Sequence, residues 1–213
     1  MDISAQAAQK RYGIEEEIMY NLSLKIVTQL EKRGHLTGED KEILVYGFFS
    51  FIFNCYCFSL CVIIGSFYKL TLEAVNFFFA FLFIRRYAGG YHAKKEWMCL
   101  FLSSIGIFLS LLAIHYIEHF VWLKNICFIL SLLSGIVICL FSPLEAENKP
   151  LSRDEKKKYR VYSIIRVSIT VIAIIIFVGL KIFSASVPIA SALLYEGVLI
   201  ISGYLRISRH NYE

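Results

Sequence analysis

The sequence predicts an all-α, polytopic membrane protein with six transmembrane helices preceded by an amphipathic helix. The first observation is composition: 57% of the 213 residues are hydrophobic and 15% are aromatic, which is too apolar for a water-soluble domain of this size. The second is a series of apolar runs, most of them long enough to cross a hydrocarbon core, which takes about 20 helical residues. The third is that Lys and Arg fall in short blocks between those runs, the pattern that sets membrane orientation.

Residues 1–41 form a polar but patterned N-terminal segment. Ile14, Ile18, Leu22 and Ile26 recur at helical spacing, and charged residues fill the other faces. The pattern predicts an amphipathic helix that lies on the membrane or on the helix bundle. Because this segment is charged and has no apolar stretch followed by a small-residue cleavage site, we expect no cleavable signal peptide.

A predicted membrane domain, residues 42–205, follows, and residues 206–213 form a cytoplasmic tail. The apolar runs place its spans near 43–67, 70–84, 98–117, 125–142, 161–183 and 187–205. The second span is short and follows a tight turn around Lys69, so length also allows a re-entrant segment and five spans.

The distribution of basic residues favours six spans. Lys and Arg number six before the first span, then one, four, one, six and one between successive spans, and two after the last. This alternation is what the positive-inside rule predicts for six spans with both termini in the cytoplasm, and merging the first two spans would break it. Segments 85–97 and 143–160 are then cytoplasmic.

Most of the cysteines sit inside apolar runs, where Cys usually behaves as a small hydrophobic residue. These are Cys55, Cys57, Cys61, Cys127 and Cys139. We therefore expect no structural disulfides. The sequence has no nucleotide-binding glycine pattern, internal repeat or soluble second domain, so we expect no cofactor and no nucleic-acid partner. Any chemistry must come from the membrane bundle and its loops.

Segment 85–92, RRYAGGYH, followed by Cys99, is the main candidate site. His92 can take the proton of a Cys99 thiol and later return it to a leaving amine. On one continuous helix the two residues would lie about 10 Å apart along the axis, so the chain must bend between them, and Gly89 and Gly90 allow this. Cys99 begins the third span, where the helix dipole favours a thiolate. The spacing alone also allows a non-catalytic reading, in which Cys99 is another membrane cysteine and His92 an interfacial loop residue.

The string RRYAGGYHA, with Cys99 seven residues after His92, resembles the signature of AgrB, the membrane endopeptidase that matures the AgrD quorum-sensing propeptide in Gram-positive bacteria. Segment 143–150, PLEAENKP, is similar to the cytoplasmic loop between spans 4 and 5 of that family. Size, span pattern and amphipathic N-terminus agree as well, so the resemblance covers essentially the whole chain.

The resemblance implies a cysteine endopeptidase that removes the C-terminal part of an AgrD-like propeptide. Cys99 would attack the peptide bond with His92 as its base, and a Cys or Ser of the substrate would intercept the thioester and release a thiolactone or lactone. Arg85 matches a motif Arg that orients substrate or stabilises the oxyanion, unless it is a positive-inside anchor. Gly90 matches a motif Gly that shapes the turn. The resemblance also implies a homodimer in the cell membrane of a Gram-positive bacterium, with a cytoplasmic catalytic loop.

Four further residues are candidates for substrate binding or positioning. Glu196 lies near the middle of the sixth span, where a carboxylate is costly enough to suggest a function. It could orient His92 or serve substrate binding, or be protonated and hydrogen-bonded inside the bundle. The basic run Lys156, Lys157 and Lys158 is usually an orientation signal facing anionic lipid, but it could receive an acidic substrate tail.

Two competing hypotheses remain. His115, Glu118 and His119 match the H-x-x-E-H pattern of inverted zincins, but they lie at the outer end of the third span with no obvious third ligand, so we predict no metal site. The chain could also be a small transporter or a non-catalytic bundle with a structural Cys and His. The sequence does not give the peptide, the ring type, a third catalytic residue or the exporter of the product.

Overall fold

A computed structural model of the protein describes residues 14–32, 38–89, 96–144 and 152–210. Within those ranges every regular element is a helix, so the all-α prediction is confirmed there. The helices are α1 (Ile14–Lys32), α2 (Gly38–Phe67), α3 (Thr71–Ala88), α4 (Glu96–His119), α5 (Val121–Phe141), α6 (Arg153–Gly179) and α7 (Phe183–His210). The predicted turn between the first two spans is present, with Lys69 at a φ of 59°.

Several helices are apolar enough to cross a membrane. Among the described residues, four stretches qualify by length and composition: Leu44–Phe67, Val121–Phe141, Arg153–Gly179 and Phe183–Arg206. The second and third predicted spans correspond to α3 and α4. Helix α3 contains Glu73, Arg85 and Arg86, and α4 contributes a shorter apolar stretch, Ser103–Ile117. The chain is thus a helical membrane protein, and the count of six spans stays a prediction.

Helix α6 begins before the predicted start of the fifth span at residue 161. Ser152 caps it: the Ser152 hydroxyl accepts a hydrogen bond from the Glu155 N–H (3.3 Å), and the Ser152 N–H donates to the Glu155 carboxylate (2.9 Å). Such a capping box starts a helix regardless of hydropathy. The basic run 156–158, in the segment predicted to be cytoplasmic, therefore occupies the first turns of a helix rather than a connection between spans.

The chain divides into two compact units, Met1–Leu60 with Ala93–Ile105 and Cys61–His92 with Gly106–Glu213. In the first unit, Lys41 of α2 forms an ion pair with Glu31 of α1 at 2.7 Å. Helix α1 occupies part of the predicted amphipathic segment, and among its described side chains Ser23 and Val27 are fully buried and Leu22 is 47% exposed. Whether the predicted apolar stripe lies on the membrane or on the helix bundle stays a prediction.

Helix α7 is the centre of the second unit, where it packs against α3, α5 and α6. Small residues allow close approach: a Cβ on Gly197 would lie 2.6 Å from the Ser134 side chain of α5. Pro188 has no N–H for the Ser184 carbonyl one turn earlier, and that carbonyl instead accepts a hydrogen bond from Asn76 Nδ2 of α3 at 3.3 Å. The proline thus frees an acceptor that joins α3 to α7.

Candidate functional site

The C-terminal end of α3 carries the first part of the 85–92 motif. The helix ends at Ala88, and Gly89 caps it with a φ of 77°. The Leu144 N–H donates to the Ala88 carbonyl at 3.0 Å, and Gly89 and Leu144 form an isolated parallel bridge. A Cβ on Gly89 would collide with the Leu144 carbonyl oxygen, and the left-handed backbone also disfavours a side chain. Glycine is therefore required at position 89.

Arg85 lies in the last turn of α3 and contacts α7, both within the second unit. Its Nη1 lies 3.4 Å from Oε2 of Glu196 on α7, and its guanidinium carbon lies 5.4 Å from the centre of the Phe81 ring. The side chain is 22% exposed. The structure thus brings together two predicted site residues that are far apart in the sequence, Arg85 and Glu196.

Glu196 is fully buried and incompletely satisfied. Its Oε2 faces Arg85 at a distance longer than the roughly 2.7–2.9 Å of a strong charge-assisted hydrogen bond. Its Oε1 is buried and has no hydrogen-bond partner among the described residues. Buried oxygens without a donor are rare, and those that persist in native proteins call for an explanation such as a functional role or an ordered water. Glu196 therefore has one anchored oxygen and one oxygen able to accept a further proton donor.

Arg166 of α6 is a second cation against the same turn of α3. Its Nη1 donates to the Phe83 carbonyl at 2.6 Å, and its guanidinium carbon lies 4.5 Å from the Phe83 ring centre and 4.3 Å from that of Tyr87. The Tyr87 ring is also packed against Tyr162 and Tyr159 of α6, at centroid distances of 5.1 and 5.5 Å. Helix α6 thus holds the last turn of α3 through a charged hydrogen bond, cation–π contacts and packed aromatic rings.

A cavity of about 420 Å³ opens where α5 ends and α6 begins. Its basic side chains are Lys156, Lys157 and Arg160, and Lys158 does not line it. This follows from helical spacing, since residues 156, 157 and 160 share one face of α6. The remaining lining residues are Leu140, Phe141, Ser142, Pro143, Leu144 and Tyr204. The cavity therefore combines three cations with a mainly apolar wall, at the segment that pairs with Gly89.

The nucleophile and base predicted from the sequence are only partly described. Cys99 lies in the first turn of α4, but its side chain is outside the described residues. Gly90 and His92 fall in 90–95, which is also outside them. The approach of His92 to Cys99 therefore stays a prediction.

The H-x-x-E-H residues occupy the C-terminal end of α4. The His115 and His119 rings lie 5.1 Å apart, and His119 Nδ1 donates to the His115 carbonyl at 2.7 Å, which occupies one of its nitrogens. The Glu118 side chain is outside the described residues. In the part of the chain that the structure describes, no group of three or more His, Cys, Asp or Glu residues could hold a metal ion.

Sequence reasoning missed Arg166, Arg160 and Tyr204, and it emphasised Gly90 over Gly89. A charge inside an apolar run is a recognisable functional signal and would have singled out Arg166. Helical spacing from residues 156 and 157 would have added Arg160 once the start of α6 was known. The role of Tyr204 depends on the packing of its ring against Phe141, at a centroid distance of 4.7 Å, which no local pattern indicates.

Comparisons with a family model and with individual proteins point to the same family. The family model described as accessory gene regulator B matches residues 23–202. An accessory gene regulator protein B of Staphylococcus carnosus is 32% identical over 165 residues, covering 77% of this chain and 73% of that protein. An AgrB-like protein of Clostridium perfringens is 29% identical over 146 residues, covering 65% of this chain. The match spans 66%, just under two thirds, of that relative. No solved structure was found to match the chain.

Proposed function

The chain belongs to the accessory gene regulator B family, and from that premise we propose that it is a cysteine endopeptidase that trims and cyclises a quorum-sensing propeptide in the membrane. The observation that carries this proposal is that the family match, residues 23–202, contains His92 and Cys99 in their motif. The substrate is an AgrD-like propeptide that lies on the inner leaflet. Confinement of enzyme and substrate to one surface raises their effective concentration.

Cys99 is the nucleophile and His92 the general base in the proposed reaction. The sulfur attacks the carbonyl carbon at the C-terminal side of the signal sequence, the C–N bond breaks, and the proton from the thiol passes through His92 to the leaving amine. A Cys or Ser of the substrate then attacks the thioester, which closes a thiolactone or lactone and returns the thiol. The position of Cys99 in the first turn of α4 supports this role, because a helix N-terminus stabilises a thiolate.

Two features of the second unit serve substrate binding in this proposal. The cavity with Lys156, Lys157 and Arg160 takes the acidic tail of the propeptide, since its cations complement carboxylates and its apolar wall can cover neighbouring side chains. Lys158 contributes charge without lining the cavity. Glu196 holds Arg85 in the position from which its guanidinium acts on substrate or oxyanion, and Gly90 shapes the turn before His92.

The proposed architecture has six spans, with both termini and the catalytic loop in the cytoplasm of a Gram-positive cell. The four apolar helices and the alternating basic blocks support it. Residues 1–41 form the interfacial segment, 42–205 the peptidase domain and 206–213 the cytoplasmic tail. The working form is a homodimer embedded in the lipid bilayer.

The decisive experiment uses the full protein in anionic vesicles with a synthetic propeptide and mass spectrometry of the products. Cys99→Ala removes the nucleophile, so neither cleaved peptide nor a covalent adduct should form. His92→Ala should slow cleavage by about 10² to 10⁴-fold, the usual span of general acid–base catalysis. Replacing the ring-forming Cys or Ser of the substrate by Ala should leave a thioester-linked enzyme–peptide that accumulates until water hydrolyses it.

Cys55→Ala is the matched control, because Cys55 is an exposed thiol in the apolar run of α2 and has no role in the proposed chemistry. It should cleave at the rate of the unaltered protein. Cleavage by Cys99→Ala would overturn the assignment and direct attention to His115, Glu118 and His119.

A further inference from the structure

Arg166 lies within the candidate span Arg153–Gly179, where hydropathy would favour an aliphatic residue. A cation at that depth is costly, and such residues usually serve a function. Among the described residues no carboxylate forms an ion pair with it. Its contacts are instead the Phe83 carbonyl and the rings of Phe83 and Tyr87, all on the last two turns of α3.

These contacts fix the end of α3 in two ways. The hydrogen bond to the Phe83 carbonyl sets the position of the helix along its axis. The stacking on Tyr87, which Tyr159 and Tyr162 support from α6, sets the rotation of its last turn. Lysine could supply the charge but neither the planar stacking surface nor the forked donors of a guanidinium.

The last turn of α3 leads directly in the sequence to residues 90–95, which include His92 and lie outside the described residues. His92 is three residues beyond Gly89, so an extended chain allows it at most about 11 Å from that glycine. A displacement of about 1 Å at a reacting group can cost about 10²-fold in rate. A shift of the α3 terminus moves the point from which the chain reaches His92, and this is the route by which the end of α3 would affect the rate.

We propose that Arg166 is a positioning residue that holds the C-terminal turn of α3, and hence the point from which the chain continues to His92, in the place needed for catalysis. The inference rests on the proposed function for its consequence on rate. Its structural part, the clamp between α6 and α3, stands on the contacts alone. Arg166 itself contacts neither substrate nor the reacting atoms.

The experiment compares Arg166→Gln, Arg166→Lys and the control Arg153→Gln in lipid nanodiscs. Arg153 is an exposed arginine in the first turn of the same helix. Hydrogen–deuterium exchange of amides 84–89 should become at least about tenfold faster in Arg166→Gln, because the clamp on that turn is lost. Exchange in α5 and α7 should stay unchanged, and Arg166→Lys should be intermediate.

Propeptide cleavage by the same variants gives a second readout. Arg166→Gln should lower kcat by about 10 to 100-fold and leave KM within about twofold, since substrate capture lies elsewhere. Arg166→Lys should recover part of kcat, and Arg153→Gln should leave both constants unchanged. If the unaltered protein cleaves no propeptide, the proposed function fails, while the exchange data still decide whether the clamp exists.

Unchanged exchange of amides 84–89 in Arg166→Gln would overturn the proposal, and so would a rise in KM with constant kcat, which would indicate direct substrate contact. If Arg166→Gln does not fold, Tyr87→Leu tests the same clamp by removing the ring on which the guanidinium stacks. Faster exchange confined to the end of α3 in Tyr87→Leu would support the proposal, and unchanged exchange would refute it.

Discussion

Replacing Arg85 alone should destabilise the protein more than replacing Arg85 and Glu196 together. Arg85→Met leaves a fully buried carboxylate without its cation, whereas Arg85→Met with Glu196→Leu leaves an apolar contact between α3 and α7. Removing one partner of a buried ion pair is costly, but replacing both with apolar side chains is often neutral or stabilising. A lower free energy of unfolding for Arg85→Met than for the double variant would therefore show that Arg85 and Glu196 form an ion pair.

The distance between the Arg85 guanidinium and the Glu196 carboxylate gives the size of the expected loss of stability. At 3.4 Å and an effective dielectric constant of about 20, the attraction is about 5 kcal/mol. Arg85 is 22% exposed, so solvent screens part of this. We expect Arg85→Met to cost about 3 kcal/mol and the double variant to lie within about 1 kcal/mol of the unaltered protein. Glu196→Gln should cost about 1 kcal/mol, because Arg85 can still reach water.

The assay is unfolding of the purified protein in mixed micelles, followed by far-ultraviolet circular dichroism. The unaltered protein, Arg85→Met, Glu196→Leu and the variant with both substitutions form the double-mutant cycle. Arg86→Met is the matched control, since Arg86 is exposed and its described contact is with the Tyr87 ring at 5.9 Å. A coupling free energy below about 0.5 kcal/mol would refute the reasoning, because additive effects mean that the two side chains do not interact.

The same variants separate two roles for Arg85. If the double variant regains stability and cleavage, Arg85 serves only to hold α3 against α7. If it regains stability without cleavage, the guanidinium acts directly on the substrate or the oxyanion.

Three further predictions concern the neighbouring features. Gly89→Ala should lower the free energy of unfolding by at least about 1 kcal/mol, because φ is 77° and Leu144 is too close. Gly47→Ala, inside α2 with open space around its Cβ, should be neutral or stabilising by up to about 1 kcal/mol. Equal losses of stability in the two variants would contradict the backbone constraint assigned to Gly89. Neutralising Lys156 and Lys157 should weaken propeptide capture in a salt-sensitive way, and Lys158→Gln should do so less; equal effects would argue against the cavity. Reporter fusions after residues 95 and 155 should both indicate cytoplasm, and an external signal from either would exclude the six-span topology.

Much of the helical framework was predictable because its signal is local. Apolar runs of sufficient length located α2, α5 and α7 near their observed places, and Lys69 marked the turn before α3. The start of α6 was not predicted, since hydropathy places the beginning of the apolar run rather than the beginning of the helix. The Ser152 cap carried the missing information, and it too was present in the sequence.

The site was predictable in its residues but not in its pairings. Arg85 and Glu196 were each singled out, one by a motif and one by its depth in a span. Their contact depends on how α3 packs against α7 across 111 positions of sequence. The same holds for Gly89 and Leu144, where a glycine pair indicated flexibility but only the tertiary structure places a backbone against one of the two. Local patterns give residue types, and packing decides which of them meet.

Helix α3 helps to explain why hydropathy identifies four candidate spans among the described residues, whereas the proposed topology has six. Its bounds include Glu73, Arg85 and Arg86, and these charges lower its apolar character below that of the four long apolar helices. Yet Arg85 lies 3.4 Å from the Glu196 carboxylate inside the second unit, and Arg86 is in the last turn of the helix. Charges that are paired in the interior or placed at a helix end do not oppose insertion as isolated mid-span charges do. A membrane helix that carries several charged side chains is therefore easily missed when spans are identified from hydropathy.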